Sequence, residues 1–213
     1  MKYDQHFLMD FEIAKKIVSF LKIKDNEKVL EIGPGKGILT QYLKGNITVV
    51  EIDKNLCKEL KEKFPNIKII NTNILKYNNN FDKIISNVPY SICEPLINKL
   101  IKIKFKKAVL TLPINFMNEG VLNLIMPYFF EINKLMQIGR VAFYPMPRVN
   151  SKVLEIKHKE LNGKEKLLRK IYIQSDKKLK NTLKQDLDLE FLEKRIYQMN
   201  FNEWQELVNA LGL

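Results

Sequence analysis

With 213 residues, 46% of them hydrophobic and 28% charged, the chain can bury a full core and carry one domain plus a small appendage. Its 36 Lys and Arg against 24 Asp and Glu leave a net charge of +12, which favours a polyanionic partner, nucleic acid before membrane surface. No apolar run reaches the roughly 18 residues that span a bilayer, and the first residues lack a signal-peptide core. Two cysteines (Cys57, Cys93) and two histidines (His6, His158) make neither a disulfide framework nor a structural zinc site, as expected of a protein of the reducing cytoplasm.

Residues 1–9 read as an irregular lead-in, after which Asp10 is placed to cap a helix where Ile13, Ile17, Phe20 and Leu21 recur at helical spacing. Residues 29–32 form an apolar strand run that ends on Gly33, Gly35 and Gly37, and a helix to about residue 43 is expected next. A second run, 47–50, is closed by Glu51, and Asp53 opens a helix to about residue 64. Residues 67–70 make a third strand leading into Asn73 and Ile74, and 81–86 a fourth that stops at Asn87-Val88-Pro89-Tyr90. A helix over 92–103 and a fifth strand over 107–112 complete the alternation. Strands alternating with helices predict an α/β fold, a doubly wound sheet with right-handed crossovers and ligands at the carboxyl ends of the strands. Residues 134–144 and 151–158 predict a hairpin finishing the sheet around Pro145-Met146-Pro147-Arg148. Residues 164–213 are helical in pattern. Asn162-Gly163 marks the expected boundary between domains 1–161 and 162–213.

Three alternate glycines after a buried strand keep side chains out of a ligand's way, and an acid at the next strand tip, about 20 residues on, suits ribose hydroxyls. Four residues choose the chemistry. Pro89 removes a backbone donor and pushes Val88 towards an extended conformation, presenting a main-chain carbonyl beside the Asn87 side chain. Two acceptors converging on one point suit an exocyclic amine, which offers two N–H donors. Tyr90 supplies a flat face for the base. Such a site needs no strong general base, because nucleophilicity comes from geometry and proximity.

These segments resemble the small-subunit ribosomal RNA adenine dimethyltransferases and their macrolide-resistance relatives. The likeness rests on Gln5-His6-Phe7-Leu8, the block Glu31 to Thr40, Val50-Glu51-Ile52-Asp53 and Asn87 to Ile92. It continues in Phe143-Tyr144-Pro145-Met146-Pro147-Arg148-Val149-Asn150-Ser151, similar to the family's Phe-x-Pro-x-Pro-Lys-Val-Asp-Ser, and weakly in Lys178 to Leu183. The resemblance implies a Rossmann-like methyltransferase sheet, a small helical RNA-binding domain and S-adenosylmethionine as cofactor. It places Gln5, His6, Leu8, Gly33, Gly35, Gly37, Glu51, Ile52, Asn73, Ile74 and Asn87 around that cofactor. Glu51 would hold the ribose, Asn73 lie near the adenine and Asn87 near the methyl donor. Asn87, Pro89 and Tyr90 form the amine site, and Phe143 would be a second aromatic wall opposite Tyr90. The implied partner is ribosomal RNA or the small ribosomal subunit, acted on by a cytoplasmic monomer. Three departures stand out: Asn73 replaces an Asp, Leu112-Pro113-Ile114-Asn115-Phe116 replaces a Gln-Lys-Glu segment, and the helical tail is short.

At this level adenine N6 and cytosine N4 both fit the amine site, and a non-catalytic RNA-binding assembly factor remains an alternative. A nicotinamide dehydrogenase fits poorly, because the spacing is not Gly-x-Gly-x-x-Gly. RNA contacts are expected from Lys2, Arg148, Lys177, Lys178, Lys180 and Lys184. Affinity for single-stranded RNA should then fall with salt, with a log–log slope of about −0.7 per phosphate contact. Filter binding across a salt series measures that slope, and a flat response would remove the electrostatic interface.

Overall fold

The computed structural model describes residues 6–183 and 187–213, so Lys2, Gln5 and Lys184 lie outside the described residues. A two-residue strand, β1 (Phe7–Leu8), precedes α1 (Phe11–Leu21). Asp10 caps α1 as expected, its carboxylate accepting the Ile13 N–H at 2.9 Å, and Ala14, Ile17, Val18 and Leu21 form the buried face. Then follow β2 (Lys28–Ile32), β3 (Asn46–Glu51), α2 (Lys54–Lys63), β4 (Lys68–Asn71), β5 (Lys83–Asn87), α3 (Cys93–Lys102) and β6 (Lys107–Pro113). Asp53 caps α2 through the Asn55 and Leu56 N–H groups.

The helix expected after the glycine turn does not form. Gly33, Gly35 and Gly37 adopt φ of 62°, 56° and 82°, outside right-handed helical space, and only a short 3-10 turn at Thr40–Tyr42 follows. Beyond β6 lie α4 (Gly120–Phe129), β7 (Phe130–Ile138), β8 (Phe143–Tyr144) and β9 (Ser151–His158). The seven-stranded sheet has the order β4-β3-β2-β5-β6-β9-β7. Its β4-β3-β2-β5-β6 part is parallel and β9 runs antiparallel to β6, so a β7/β9 pair finishes the sheet as predicted. β8 leaves that sheet and pairs with β1, Phe7 opposite Tyr144 and Leu8 opposite Phe143. The central parallel strands are mostly apolar because both faces are covered: Val29, Leu30, Ile32, Val49, Val50, Ile84 and Ile85 are all buried.

Two compact units result, one comprising the chain up to Phe116 with Glu131–His158, the other Met117–Phe130 with Lys159–Leu213. The expected division at residue 161 lies near the second junction, but the segment bearing α4 joins the helical unit. The reason is apolar: Leu122, Ile125, Met126 and Phe129 of α4 are buried, and α4 packs on α5 (Gly163–Ile173) and α6 (Phe201–Ala210). Asn162 caps α5 in a reciprocal capping box with Glu165. The 164–213 segment is less helical than expected, with 3-10 turns at Leu179–Asn181 and Ile196–Gln198 between α5 and α6.

At the amino-terminal ends of β5 and β6, buried lysines are satisfied by carboxylates. Lys83 lies 3.6 Å from Glu27, and Lys107 and Lys157 both pair with Glu155. Burial alone would raise the Glu155 carboxyl, but those two ammonium groups more than offset it and hold it at about 2.

Gly37 is fixed by packing: a Cβ there would lie 2.5 Å from Phe64 Cε2 and 3.1 Å from Leu60 Cδ2. Gly37→Ala therefore combines left-handed backbone strain with overpacking and should cost about 1–3 kcal/mol. Gly139→Ala, at φ −65° with nothing nearer than 3.8 Å, should be near neutral. Urea unfolding of both checks this; equal midpoints would refute the packing role.

Candidate active site

At the carboxyl ends of β2, β3 and β5 the structure opens a cavity of about 570 Å³, the size of a cofactor site. His6, Leu8, Gly33, Gly35, Glu51, Ile52, Asn73, Ile74, Asn87, Pro89, Tyr90 and Phe143 all line it. Residues from six separate stretches of sequence thus converge on one space. Gly37 does not line it, being turned to Phe64 and Leu60, which corrects its expected cofactor role.

Glu51 sits at the tip of β3, 3% exposed, and its carboxylate ties the glycine turn to the strand. Oε1 accepts the Ile52 and Asp53 N–H groups at 2.8 and 2.9 Å, while Oε2 accepts the Gly35 N–H at 3.2 Å. Oε2 retains a lone pair for a hydroxyl donor. Asn73 Oδ1 accepts the Leu75 N–H at 2.9 Å and so caps a 3-10 turn, which keeps its amide at the cavity wall beside Ile74. Ile52 is half exposed and Ile74 buried, an apolar pair suited to a planar ring. A carboxylate for ribose hydroxyls, apolar walls for an adenine and a turn without side chains fit S-adenosylmethionine.

The residues expected to form the amine site, Asn87 to Tyr90, line the same cavity. Asn87 Nδ2 donates to the His6 carbonyl at 3.0 Å, which points Oδ1 the other way. The Pro89 carbonyl accepts the Ile92 N–H at 3.0 Å, whereas the Val88 carbonyl accepts no hydrogen bond among the described residues. Val88 N–H donates to the Thr111 carbonyl at 3.1 Å, anchoring the turn to β6. The Tyr90 hydroxyl meets Ser151 Oγ at 3.1 Å, and its ring lies 5.3 Å from that of His6, tilted by 46°. His6 Nδ1 in turn hydrogen-bonds the Pro145 carbonyl at 2.7 Å.

Phe143 is where the structure differs from a free-standing plate. It is 4% exposed and packs with Leu8 in the core cluster, so it forms cavity wall. Strand alternation explains this: with Phe143 turned in, Tyr144 is turned out, 69% exposed. Among the expected RNA contacts, Lys177 and Arg148 are exposed, but Lys178 and Lys180 share the Glu193 carboxylate, which their ammonium groups hold at about 2.

Glu31 is the residue that sequence reasoning passed over. It lines the cavity at 1% exposure, accepting the Thr40 hydroxyl at 2.7 Å. Burial, reinforced by the nearby Glu51 charge and opposed by the Thr40 hydrogen bond, lifts its carboxyl to about 8. Its place inside an apolar run was the available signal.

Fold and site together define a Rossmann-like, S-adenosylmethionine-dependent methyltransferase for a base amine. The family described as ribosomal RNA adenine dimethylase matches residues 1–209, and the chain belongs to it. It is an S-adenosylmethionine-dependent ribosomal RNA adenine methyltransferase. The ribosomal RNA small subunit methyltransferase A of Borreliella burgdorferi is 35% identical over 246 aligned positions, covering 99% of this chain and 88% of that protein. The protein of the same name from Malacoplasma penetrans is 36% identical over 209 positions, covering 86% and 77%. A dimethyladenosine transferase from Plasmodium falciparum superposes with a TM-score of 0.69 at 26% identity, covering 98% and 99%. The 23S rRNA methyltransferase ErmE shares the fold, with a TM-score of 0.70 at 19% identity over 97% of this chain and all of that one. Among the described residues, no helix is long and apolar enough to cross a membrane and no group of three His, Cys, Asp or Glu is placed to hold a metal.

The Glu31 carboxyl has a testable consequence. Because the folded protein holds this proton above the usual carboxylate range, the unfolded chain loses it first as pH rises. Stability therefore falls between about pH 4.5 and 8, by at most about 1.4 kcal/mol per pH unit. Glu31→Gln keeps an acceptor for Thr40 and removes the titration, so its stability relative to wild type should rise across that window in urea melts. Parallel pH curves would contradict a protonated Glu31.

Proposed function

We propose that the cavity transfers methyl groups, twice in succession, to N6 of an adenine in small-subunit ribosomal RNA, working in the cytoplasm. The observation that carries this reading is the pair of acceptors, Asn87 Oδ1 and the Val88 carbonyl, beside a cavity that fits S-adenosylmethionine. When bound, the cofactor supplies an electrophilic methyl group on a cationic sulfur. The two acceptors take the two N–H bonds of the amine, draw them out of the base plane and localise the nitrogen lone pair. Tyr90 stacks on the extruded base with its ring set by Ser151, and Phe143 closes the wall behind Leu8. Gly33 and Gly35 keep the methyl donor's path free of side chains, and Glu51 and Asn73 hold the ribose and adenine ends. With the cofactor bound, the amine nitrogen would take the methyl group as its bond to sulfur breaks, and the amine proton would leave to solvent afterwards. The adenine follows the family; cytosine, equally compatible with two acceptors, has no support beyond the altered segment after β6. The small-subunit assignment and the second methyl transfer are supported by the relatives' names.

Asn87→Ala removes one of the two acceptors and should lower kcat by about 100- to 1000-fold, the scale of one transition-state hydrogen bond. Tyr90→Ala should raise the RNA KM and lower kcat together, since the base loses its stacking face. The measurement is nucleoside mass spectrometry of methylated small-subunit ribosomal RNA. Full activity in both variants, or methylcytosine as the product, would overturn the reading.

A further inference from the structure

Beside the amine site, residues 140–148 carry more exposed apolar surface than a closing loop requires. Val141 is 82%, Tyr144 69% and Met146 53% exposed. The stretch is also one-signed: no Asp or Glu occurs between Glu131 and Glu155 in a chain with 24 acids. The chain has four arginines among 36 cations, and two of them, Arg140 and Arg148, bracket Tyr144 symmetrically. Neither guanidinium is ion-paired or hydrogen-bonded among the described residues, unlike Lys178 and Lys180, which share Glu193. Tyr144 lies directly across from Phe7, so both rings face the same side of the β1/β8 ribbon, and the Lys36 ammonium sits 5.6 Å from the Phe7 ring centre. This strip is fastened to the amine site through one residue: His6 hydrogen-bonds the Pro145 carbonyl by its ring and Asn87 by its carbonyl.

We propose that residues 140–148 dock the single-stranded nucleotides next to the target adenine, Tyr144 stacking on a neighbouring base while Arg140 and Arg148 hold its phosphates. The inference rests on the base-amine reading of the cavity and adds the substrate feature that the cavity itself does not read. Extruding one base leaves its neighbours partly unstacked, and an exposed aromatic ring with an arginine four residues to either side in the chain offers them a replacement surface. Guanidinium suits this role better than ammonium because it stacks on bases and grips phosphate bidentately. An acid-free, doubly cationic rim complements a nucleic-acid backbone.

The test uses the full chain and single-stranded RNAs of about ten nucleotides carrying one adenosine, with 2-aminopurine as its 5′ or 3′ neighbour. Wild type should quench one of the two probes on binding. Tyr144→Ala should abolish the quenching and weaken RNA binding about 5- to 150-fold, the equivalent of about 1–3 kcal/mol for one stacked base, with cofactor affinity by calorimetry unchanged. Tyr144→Trp should restore both. Arg140→Gln and Arg148→Gln should each reduce the log–log salt slope by about 0.7. The proposal falls if Tyr144→Ala binds and quenches like wild type, or if it loses cofactor as well and Tyr144→Trp does not rescue it. It falls too if the change abolishes self-association or capture of a ribosomal protein while RNA binding is untouched. Wild type that quenches the probe yet yields no methyladenosine would instead sink the amine reading, so the two failures are separable.

Discussion

The hydrogen bond from Asn87 Nδ2 to the His6 carbonyl is the constraint on which the proposed chemistry depends. A side-chain amide presents a donor at one end and an acceptor at the other, and an amine substrate tolerates only the acceptor. By occupying the NH2 end, the lead-in leaves Oδ1 as the end available to a ligand. The same residue's ring is bonded to Pro145 and lies against Tyr90. One short segment therefore sets the acceptor, steadies the stacking face and closes one side of the cofactor space. Phe7 reinforces it: a Cβ on Gly35 would come within 2.9 Å of its ring, so the absence of a side chain there lets the lead-in close down on the turn.

Beneath this segment the sheet supplies rigidity. The carboxyl ends of β2, β3 and β5 are adjacent because the strand order reverses sense around β2, and the ligand space opens at that switch. Ser86 donates to the Ile32 carbonyl at 2.7 Å, tying β5 to β2 at the level of the glycine turn. Glu51 accepts three hydrogen bonds from backbone amides and Glu31 keeps its proton, so two acids share a small space with a single negative charge at neutral pH.

Much of this was legible in the sequence, for identifiable reasons. The central parallel strands, buried on both faces, are written as Val-, Ile- and Leu-rich runs, and the residues that end them fall at the site by topology. Asp10 and Asp53 announced their helices as caps. The expectation failed where local pattern and tertiary demand diverge. The segment after Gly37 has helix-compatible composition, but three left-handed residues and a short path to β3 leave room only for turns. α4 went unseen because it opens on Gly120 and carries Pro127 inside it, while its apolar face is explained only by α5 and α6. The inward turn of Phe143 depends on pairing with the lead-in, a contact between segments 139 residues apart at His6 and Pro145 that no periodicity encodes.

Two converging acceptors and an aromatic face distinguish amines from carbonyls on a base edge, yet they cannot tell one adenine from another, because every adenine offers the same N6 hydrogens. The net charge of +12 adds affinity for any RNA without preference, since phosphate contacts are alike along a strand. The choice of nucleotide must therefore lie in which adenine the RNA's own shape lets reach the cavity, and in surfaces that accept its neighbours only in an unstacked path. Chemistry and selection are thereby carried by different parts of the molecule. In the proposed reading the strand tips, written in constrained glycines and short turns, perform the methyl transfer, while selection falls to exposed side chains whose identity the sheet does not dictate. Of the departures from the family pattern, Asn73 lines the cavity with an uncharged amide in place of a carboxylate, whereas Pro113, Ile114 and Asn115 at the end of β6 fall outside the lining residues, where they can alter selectivity without touching the amine site.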